Sequence, residues 1–308
     1  MKKYILIDGY NLLFRAFYGY PERFLSDGTP VNAIFGVMSM IFTLVQNESP
    51  DGLAIALDVG KTFRHEMYPE YKGTRSECPE FLSVQIPEIL KMFELSGIPV
   101  FSQKGYEADD VLASVALDLK KESEDHDVYI LSGDKDLFQV VEDRISILYP
   151  QRGGLPAKII GKKEVDEAFQ VTPDRVPDYK GLVGDSSDNI PGVMGIGPKT
   201  ASKLLAEYST IEGIYENIGS ITGAVQTKLI TDKENAFFSK KLATIICDLE
   251  CHLTGSDIEY EGVSHELIPF FEAREPRTFM KKMDKHIKLD PLFEAACDVF
   301  ETDQMSLF

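Results

Sequence analysis

Glu107, Asp109 and Asp110 crowd together in the stretch GYEADDVLASVALDL, residues 105–119. Behind them Val111, Leu112, Val115, Ala116 and Leu119 recur at the spacing of one helix face, so the three acids stand at a helix N-terminus. One carboxylate there is an ordinary cap, because free N–H groups and the helix dipole favour negative charge. Three exceed what a cap needs, since neighbouring like charges on a helix repel. From this stretch alone, capping and cation binding both stand open. Glu107 and Asp110 share a face and Asp109 lies about 100° around the helix. If all three serve one ion, some act through water, which Mg²⁺ readily keeps.

More acids close short β-prone runs. YILID ends at Asp8, LAIALD ends at Asp58, and VYILSGDKD carries Asp134 and Asp136. A further short strand, residues 100–102, precedes the acidic helix, and residues 33–45 and 83–95 have helical periodicity. Strands alternating with helices predict a parallel sheet with both faces covered. Functional crevices of such sheets lie beyond the carboxyl ends of the strands, where these acids would converge. Asp185 and Asp188, three apart in GDSSDNIPG, make a second dense site. So many carboxylates cannot all stay ionised together without cations. A donor set of oxygens without His or Cys suits Mg²⁺ or Mn²⁺, and two such ions would clamp a phosphodiester for in-line attack by water.

Two segments read as nucleic-acid contacts. In PGVMGIGPKTASKLL, Gly195 and Gly197 form a tight hairpin feeding a helix with Lys199, Thr200 and Lys203. Backbone N–H groups and a helix N-terminus can hold phosphate there; the alternative is a plain helix–turn–helix in the core. The Walker A pattern is absent. In KTFRHEMYPEYKGTRSECPEFL, residues 61–82, Lys61, Arg64, His65, Lys72 and Arg75 interleave with Phe63, Tyr68, Tyr71 and Phe81. Charges that track phosphates and rings that stack on bases suit a single-stranded passage. Arg15 is a further candidate phosphate clamp.

The chain has 308 residues, 44% hydrophobic and 27% charged, which fits a globular protein with a sizeable core. No apolar run approaches the ~20 residues of a membrane span. The apolar run after Lys2 and Lys3 meets Asp8 too soon for a signal peptide, so a first strand in a cytoplasmic protein is expected. The four cysteines read as reduced thiols. The 32 basic and 50 acidic residues give −18, an objection to nucleic-acid binding. Neutralising nine site carboxylates would take −18 only to −9. The remaining excess must lie on faces turned away from a polyanion, such as residues 122–127 and 257–261.

The motifs LIDGYNLLFRAFY, FRHEMYPEYKGTR, GYEADDVLA, SGDKDLFQVV and GDSSDNIPGVMGIGPKTA, in this order, resemble the bacterial 5′-nuclease family. That family includes the 5′–3′ exonuclease domain of DNA polymerase I and is related to flap endonucleases. The likeness covers about residues 1–290. It implies a PIN-like α/β core over residues 1–160 with a helical arch at 61–82. A mainly helical region would follow over 161–290, with a helix–hairpin–helix at 185–205. It implies cleavage of 5′ flaps, nicks and 5′ ends of DNA and of RNA primers on DNA. It assigns Asp8, Asp58, Glu107, Asp109 and Asp110 to a first metal site, and Asp134, Asp136, Asp185 and Asp188 to a second. Arg64, Lys72 and Arg75 match arch residues near the scissile phosphate, and Tyr68 joins them on the substrate strand. The Gly195–Gly197 hairpin matches a loop that grips duplex, often with bound K⁺. The tail, residues 291–308, ends DQMSLF, and no polymerase region follows it in this sequence. Gln304, Leu307 and Phe308 resemble the peptide by which bacterial proteins bind the sliding clamp, a tether by effective concentration. A monomer is expected. The competing readings are a PIN-like RNase, which needs neither hairpin nor arch, and a non-catalytic DNA-structure binder, which needs no full set of carboxylates.

Overall fold

The computed structural model describes residues 1–151 and 156–274, with residues 279, 283 and 285–287. Gln304, Leu307 and Phe308 lie outside the described residues. Among the described residues the sheet has six strands: β1 (Lys2–Asp8), β2 (Gly52–Ala56), β3 (Val100–Phe101), β4 (His126–Leu131), β5 (Ile145–Tyr149) and β6 (Lys158–Ile160). Their order is β3-β2-β1-β4-β5-β6, and every neighbouring pair is parallel except β5 with β6. Side chains alternate across the central strand. Tyr4 and Leu6 enter one apolar layer with Val111, Leu112, Val115 and Leu119, all on α6 (Ala108–Glu122). Ile5 and Ile7 enter the other, with α1 (Gly9–Gly19), α2 (Asn32–Glu48) and α5 (Ile86–Ser96). Both sheet faces are therefore dry, which is why β1 and β2 read as unbroken apolar runs.

Strand order reverses at β1. The chain steps to β2 and β3 on one side and to β4 and β5 on the other, so the crevice of an open sheet falls between the ends of β1 and β4. Asp8 is the last residue of β1, and Asp134 follows β4 by three positions. The sheet thus has one edge at which the sequence could concentrate polar groups without breaking its core.

Between β2 and α5 the arch stretch holds two short helices, α3 (Phe63–Met67) and α4 (Glu80–Ser83), joined by turns. Beyond β6 the chain is helical. It runs through α7 (Lys162–Phe169), α8 (Val176–Val183), α9 (Pro198–Tyr208), α10 (Ile211–Glu216), α11 (Gly223–Thr231) and α12 (Lys233–Ala243). It then returns to the sheet: Leu53 N–H donates to Ile258 carbonyl at 2.8 Å and Tyr260 N–H to Asp51 carbonyl at 2.9 Å. A further helix, α13 (Leu267–Glu272), places Phe271 against Phe35 of α2. No helix among the described residues is long and apolar enough to cross a membrane.

Arg64 ties the segments after β2 and α12 to α6. Its guanidinium makes a bidentate pair with Asp110 at 2.7 and 2.8 Å and donates to the carbonyls of Leu242 at 2.9 Å and Thr244 at 2.7 Å. Arg64 is 2% exposed and Asp110 0%. Removing one partner of such a pair leaves an uncompensated buried charge, so Arg64→Met should lower unfolding free energy by about 3–5 kcal/mol in urea titration. A loss of about 1 kcal/mol or less, the range of an exposed pair, would contradict this role.

Candidate active site

The acidic residues named from the sequence reach one edge of the sheet by different routes. Asp8 caps α1: one carboxylate oxygen accepts from Asn11 N–H at 3.0 Å and the other from the Ser132 hydroxyl at 2.8 Å. Asp58, just past β2, accepts from Ala108 N–H at 2.7 Å and so caps α6 from another strand. Ser132 also accepts from Asp134 N–H, and Asp134 in turn accepts from Asp136 N–H. These bonds fix the loop after β4 against the end of β1. Asp185 and Asp188 lie in a turn closed by the mutual backbone bonds of Asp185 and Ile190, 2.9 and 2.7 Å. Gly184 and Gly192 make that closure possible. Both have positive φ, +75° and +64°, and a Cβ on Gly192 would stand 2.3 Å from Gly184 N.

The carboxylates divide by what touches them. Asp110 has both oxygens engaged, by Arg64, by its own turn at Glu107 N–H (3.0 Å) and by Ile246 N–H (2.8 Å). Glu107 is shared among Lys72 at 2.7 Å, the Tyr71 hydroxyl at 3.1 Å and Arg64 at 3.3 Å. Asp188 meets Arg75 at 2.6 Å and the Tyr71 hydroxyl at 3.2 Å. Asp136 and Asp185 both meet the ammonium of Lys180, the latter at 2.7 Å. Asp8, Asp58, Asp109 and Asp134 form no ion pair among the described residues.

Electrostatics follow this division. Burial pushes Asp8 up to about 6, and the Asp58 and Asp134 charges add to it against the Asn11 and Ser132 hydrogen bonds. Burial also lifts Asp109 well above the carboxylate range, with Asp134 and Asp8 adding to it and Lys72 opposing. Asp134 is raised by burial despite Lys180. Asp185 goes the other way: burial is outweighed by Lys180 and Ser187, which hold it at about 2. No three His, Cys, Asp or Glu side chains among the described residues stand close enough to hold an ion as placed. The chemistry of the donor set nevertheless fits a hard divalent cation: carboxylate oxygens only, with Asp8, Asp109 and Asp134 raised by burial and by neighbouring acids, and no ion pair on these three or on Asp58 among the described residues.

The arch stretch lies across this edge instead of standing free. Lys72 N–H donates to Asp188 carbonyl at 3.0 Å, Asn189 side-chain amide to Glu70 carbonyl at 2.9 Å, and Thr74 hydroxyl to Ser186 carbonyl at 3.5 Å. Tyr68 is half-buried, edge-on to Phe238 with centroids 5.5 Å apart, in a small apolar cluster with Tyr71, Ile190 and Leu242. Arg15 donates to the Gln151 carbonyl. In the hairpin, Gly195 has φ +77° and its carbonyl accepts from Lys228 at 2.9 Å. Gly197 caps α9, with Lys199 and Lys203 exposed and Thr200 half-buried. Sequence reasoning missed Lys180, Ser132 and Asn11. Lys180 carried a signal, a lone cation five residues before Asp185 in an apolar helix. Ser132 and Asn11 carried only their nearness to Asp134 and Asp8.

Asp8 generates a pH test. Its folded value of about 6 lies above its ordinary 3.8, so between them the folded chain binds a proton that the unfolded chain has lost. Stability from this group is full below the ordinary value and is lost as pH rises through about 6. The unfolding free energy of wild type minus that of Asp8→Asn should therefore fall across this window in EDTA. A constant difference would contradict the assignment.

Comparison with known proteins agrees with this architecture. Residues 3–170 match the N-terminal resolvase-like domain of 5′–3′ exonucleases, and residues 171–266 match their C-terminal SAM fold. The 5′–3′ exonuclease of Aquifex aeolicus is 35% identical over 287 residues, covering 92% of this chain and 96% of that protein. DNA polymerase I of Caldicellulosiruptor bescii is 40% identical over 259 residues, 83% of this chain but 30% of the polymerase. The chain thus spans about 30% of the length of the polymerase relatives it matches. The T5 5′-exonuclease, solved with bound zinc, superposes with a TM-score of 0.65 at 27% identity, over 80% of this chain and 90% of that one. With both regions matched in order and a relative covered almost end to end, the chain belongs to the 5′–3′ exonuclease family.

Proposed function

We propose that this nuclease is structure-specific, cutting DNA at 5′ flaps, nicks and 5′ ends and removing RNA primers paired to DNA, as a monomer with Mg²⁺ or Mn²⁺. The observation that carries this reading is the convergence of Asp8, Asp109 and Asp134, each raised by burial and neighbouring acids and none paired with a protein cation among the described residues. Such a group gains by taking up divalent ions and not by folding alone. Bound there, two ions would supply Lewis acidity and a water acidic enough to attack phosphorus near neutral pH.

The chain's own residues set the stage for that chemistry. Asp8, Asp58, Asp109 and Asp134 would hold an ion there, with Glu107, shared with Lys72, beside them. Asp110 is a positioning residue: its oxygens are spent on Arg64 and on two backbone N–H groups, and it holds the first turn of α6 in place. Asp134, which the resemblance assigns to the second site, is grouped with the first because it meets no protein cation among the described residues, and Asp136, Asp185 and Asp188 form the second acidic group. Lys72 and Arg75 sit on the arch with their charges against these acids, and an entering phosphodiester competes for the same cations. Gly195, Gly197, Lys199, Thr200 and Lys203 hold duplex backbone through the hairpin and the start of α9, with Arg15 and Tyr68 on the strand side.

A labelled 5′-flap duplex and a single-stranded RNA, each with Mg²⁺ or EDTA, test the reading. Flap cleavage with Mg²⁺ and none with EDTA is expected. Cleavage of the RNA alone would indicate an RNase, and binding without cleavage a structure-binding protein. Asp134→Ala should cut flap turnover by at least about a hundredfold while leaving flap binding within about threefold, as loss of a group acting only on the transition state does. Retained turnover would remove Asp134 from the site. We propose further that Gln304, Leu307 and Phe308 bind the sliding clamp. Deleting residues 304–308 should abolish clamp binding in a pull-down and leave Mg²⁺-dependent cleavage intact; equal clamp binding by the truncated chain would refute the tether.

A further inference from the structure

Lys180 is a buried cation that the proposed chemistry does not use. It is 5% exposed, on α8, a helix buried along nearly its whole length. Its ammonium bonds Asp136, from the loop after β4, and Asp185, from the turn after α8, the latter at 2.7 Å. The helix cannot shift easily to withdraw it. A Cβ on the adjacent Gly181 would stand 2.9 Å from the Ala236 carbonyl of α12, so the two helices are already in close contact. A charge fixed in this way costs several kcal/mol to desolvate unless carboxylates compensate it. Lys180 and its two acids therefore form a self-satisfied unit.

The asymmetry across the site gives that unit a meaning. Asp8, Asp58, Asp109 and Asp134 touch no protein cation among the described residues, whereas Asp136 and Asp185 touch one that is buried and positioned by a packed helix. A divalent ion can join the first group without displacing anything. To use the Asp136 and Asp185 oxygens that Lys180 holds, it must first take the place of the ammonium.

We infer that Lys180 is a resident cation of the second acidic group, which makes ion loading sequential: a first divalent ion binds tightly and a second binds weakly, in competition with the lysine. This rests on the reading that the carboxylate edge holds divalent ions. The lysine keeps Asp136 and Asp185 from repelling each other in the resting protein. It also leaves the second ion to be recruited only when further ligands, such as the oxygens of a bound phosphodiester, repay the displacement. By linkage, whatever anion helps the second ion to bind is itself bound more tightly once that ion is present.

Mn²⁺ binding to the full chain without DNA, followed by calorimetry and by the spin-resonance signal of free Mn²⁺, tests this independently of turnover. Wild type should show one tight site and a second at least about tenfold weaker. Lys180→Met should tighten the second by about tenfold or more, the worth of a charge-assisted hydrogen bond, and the first by less, since Lys180 acts on Asp134 without pairing with it. The rise in melting temperature on adding Mn²⁺ should be larger in the variant. Lys180→Arg, which keeps the charge, should behave as wild type, and Lys180→Gln should reproduce the direction of change should the methionine variant not fold. Identical second-site affinity in wild type and the uncharged variants overturns the inference while the ion-binding reading stands. Absence of Mn²⁺ binding, or first-site binding indifferent to Asp134→Ala, overturns that reading and the inference with it.

Discussion

The bidentate pair of Arg64 and Asp110 is the contact on which the rest of the site depends. Two unit charges 4 Å apart attract by about 4 kcal/mol at an effective dielectric constant of 20, but each must first give up water. Here the loss is made good by further bonds: two carbonyls for Arg64 and two N–H groups for Asp110. The partners come from four stretches of chain, at residues 64, 107–110, 242–244 and 246. Fixing them together sets the first turn of α6, the root of the arch and the return of the chain after α12 in a single arrangement. The edge at which the acids meet is then defined to within the stiffness of those elements.

With that frame in place, the remaining carboxylates are sorted by the cations allotted to them. Glu107 and Asp188 meet arch cations, Asp136 and Asp185 meet Lys180, and Asp8, Asp58, Asp109 and Asp134 meet none among the described residues. Tyr71 joins the two acids paired with the arch, since its buried hydroxyl reaches both Glu107 on α6 and Asp188 in the turn after α8. A sheet edge holding this much negative charge would push itself apart if every acid were ionised and unpaired. The fold avoids this by distributing protein cations over half of the group. In the other half Asp8, Asp109 and Asp134 keep raised affinities for protons, and the same environment favours a metal ion.

Much of this was legible in the sequence. Asp8, Asp58 and Asp134 each follow an unbroken apolar run, and a parallel sheet delivers the ends of such runs to one edge. The helix behind Glu107 announced itself by its apolar period, and the Gly195–Gly197 turn by residues that only a tight hairpin requires. Strands β5 and β6 were not legible. The run ISILY is short and follows a 3₁₀ turn, and KII pairs with it in the opposite direction, so neither fits the pattern of strand, helix and parallel strand. Burial of Arg64 was also hidden. Within KTFRHEMYPEYKGTR it is one cation among several, and its carbonyl partners at 242 and 244 lie about 180 residues away. Lys180 was hidden for a related reason, because a lysine in a helix is ordinarily a solvated one and only the packing of α8 reveals that this one has no solvent to reach.

The arch brings these points together. A chain with a net charge of −18 repels a polyanion at long range, so its cations must be near the point of contact to have any effect. Lys72 and Arg75 are so placed, yet each is held by a carboxylate of the same chain. On the proposed reading they serve two masters in turn. At rest they relieve Glu107 and Asp188; with a phosphodiester present they can turn to it, because divalent ions then relieve the acids in their stead. Substrate and metal would thus favour one another's binding through a shared set of counter-charges, without any need for a distant conformational relay. Arg64, locked on the same segment by bonds on every side of its guanidinium, has no such freedom. The arch therefore has a fixed root and a mobile charge, which is the division of labour that a passage for a charged strand requires.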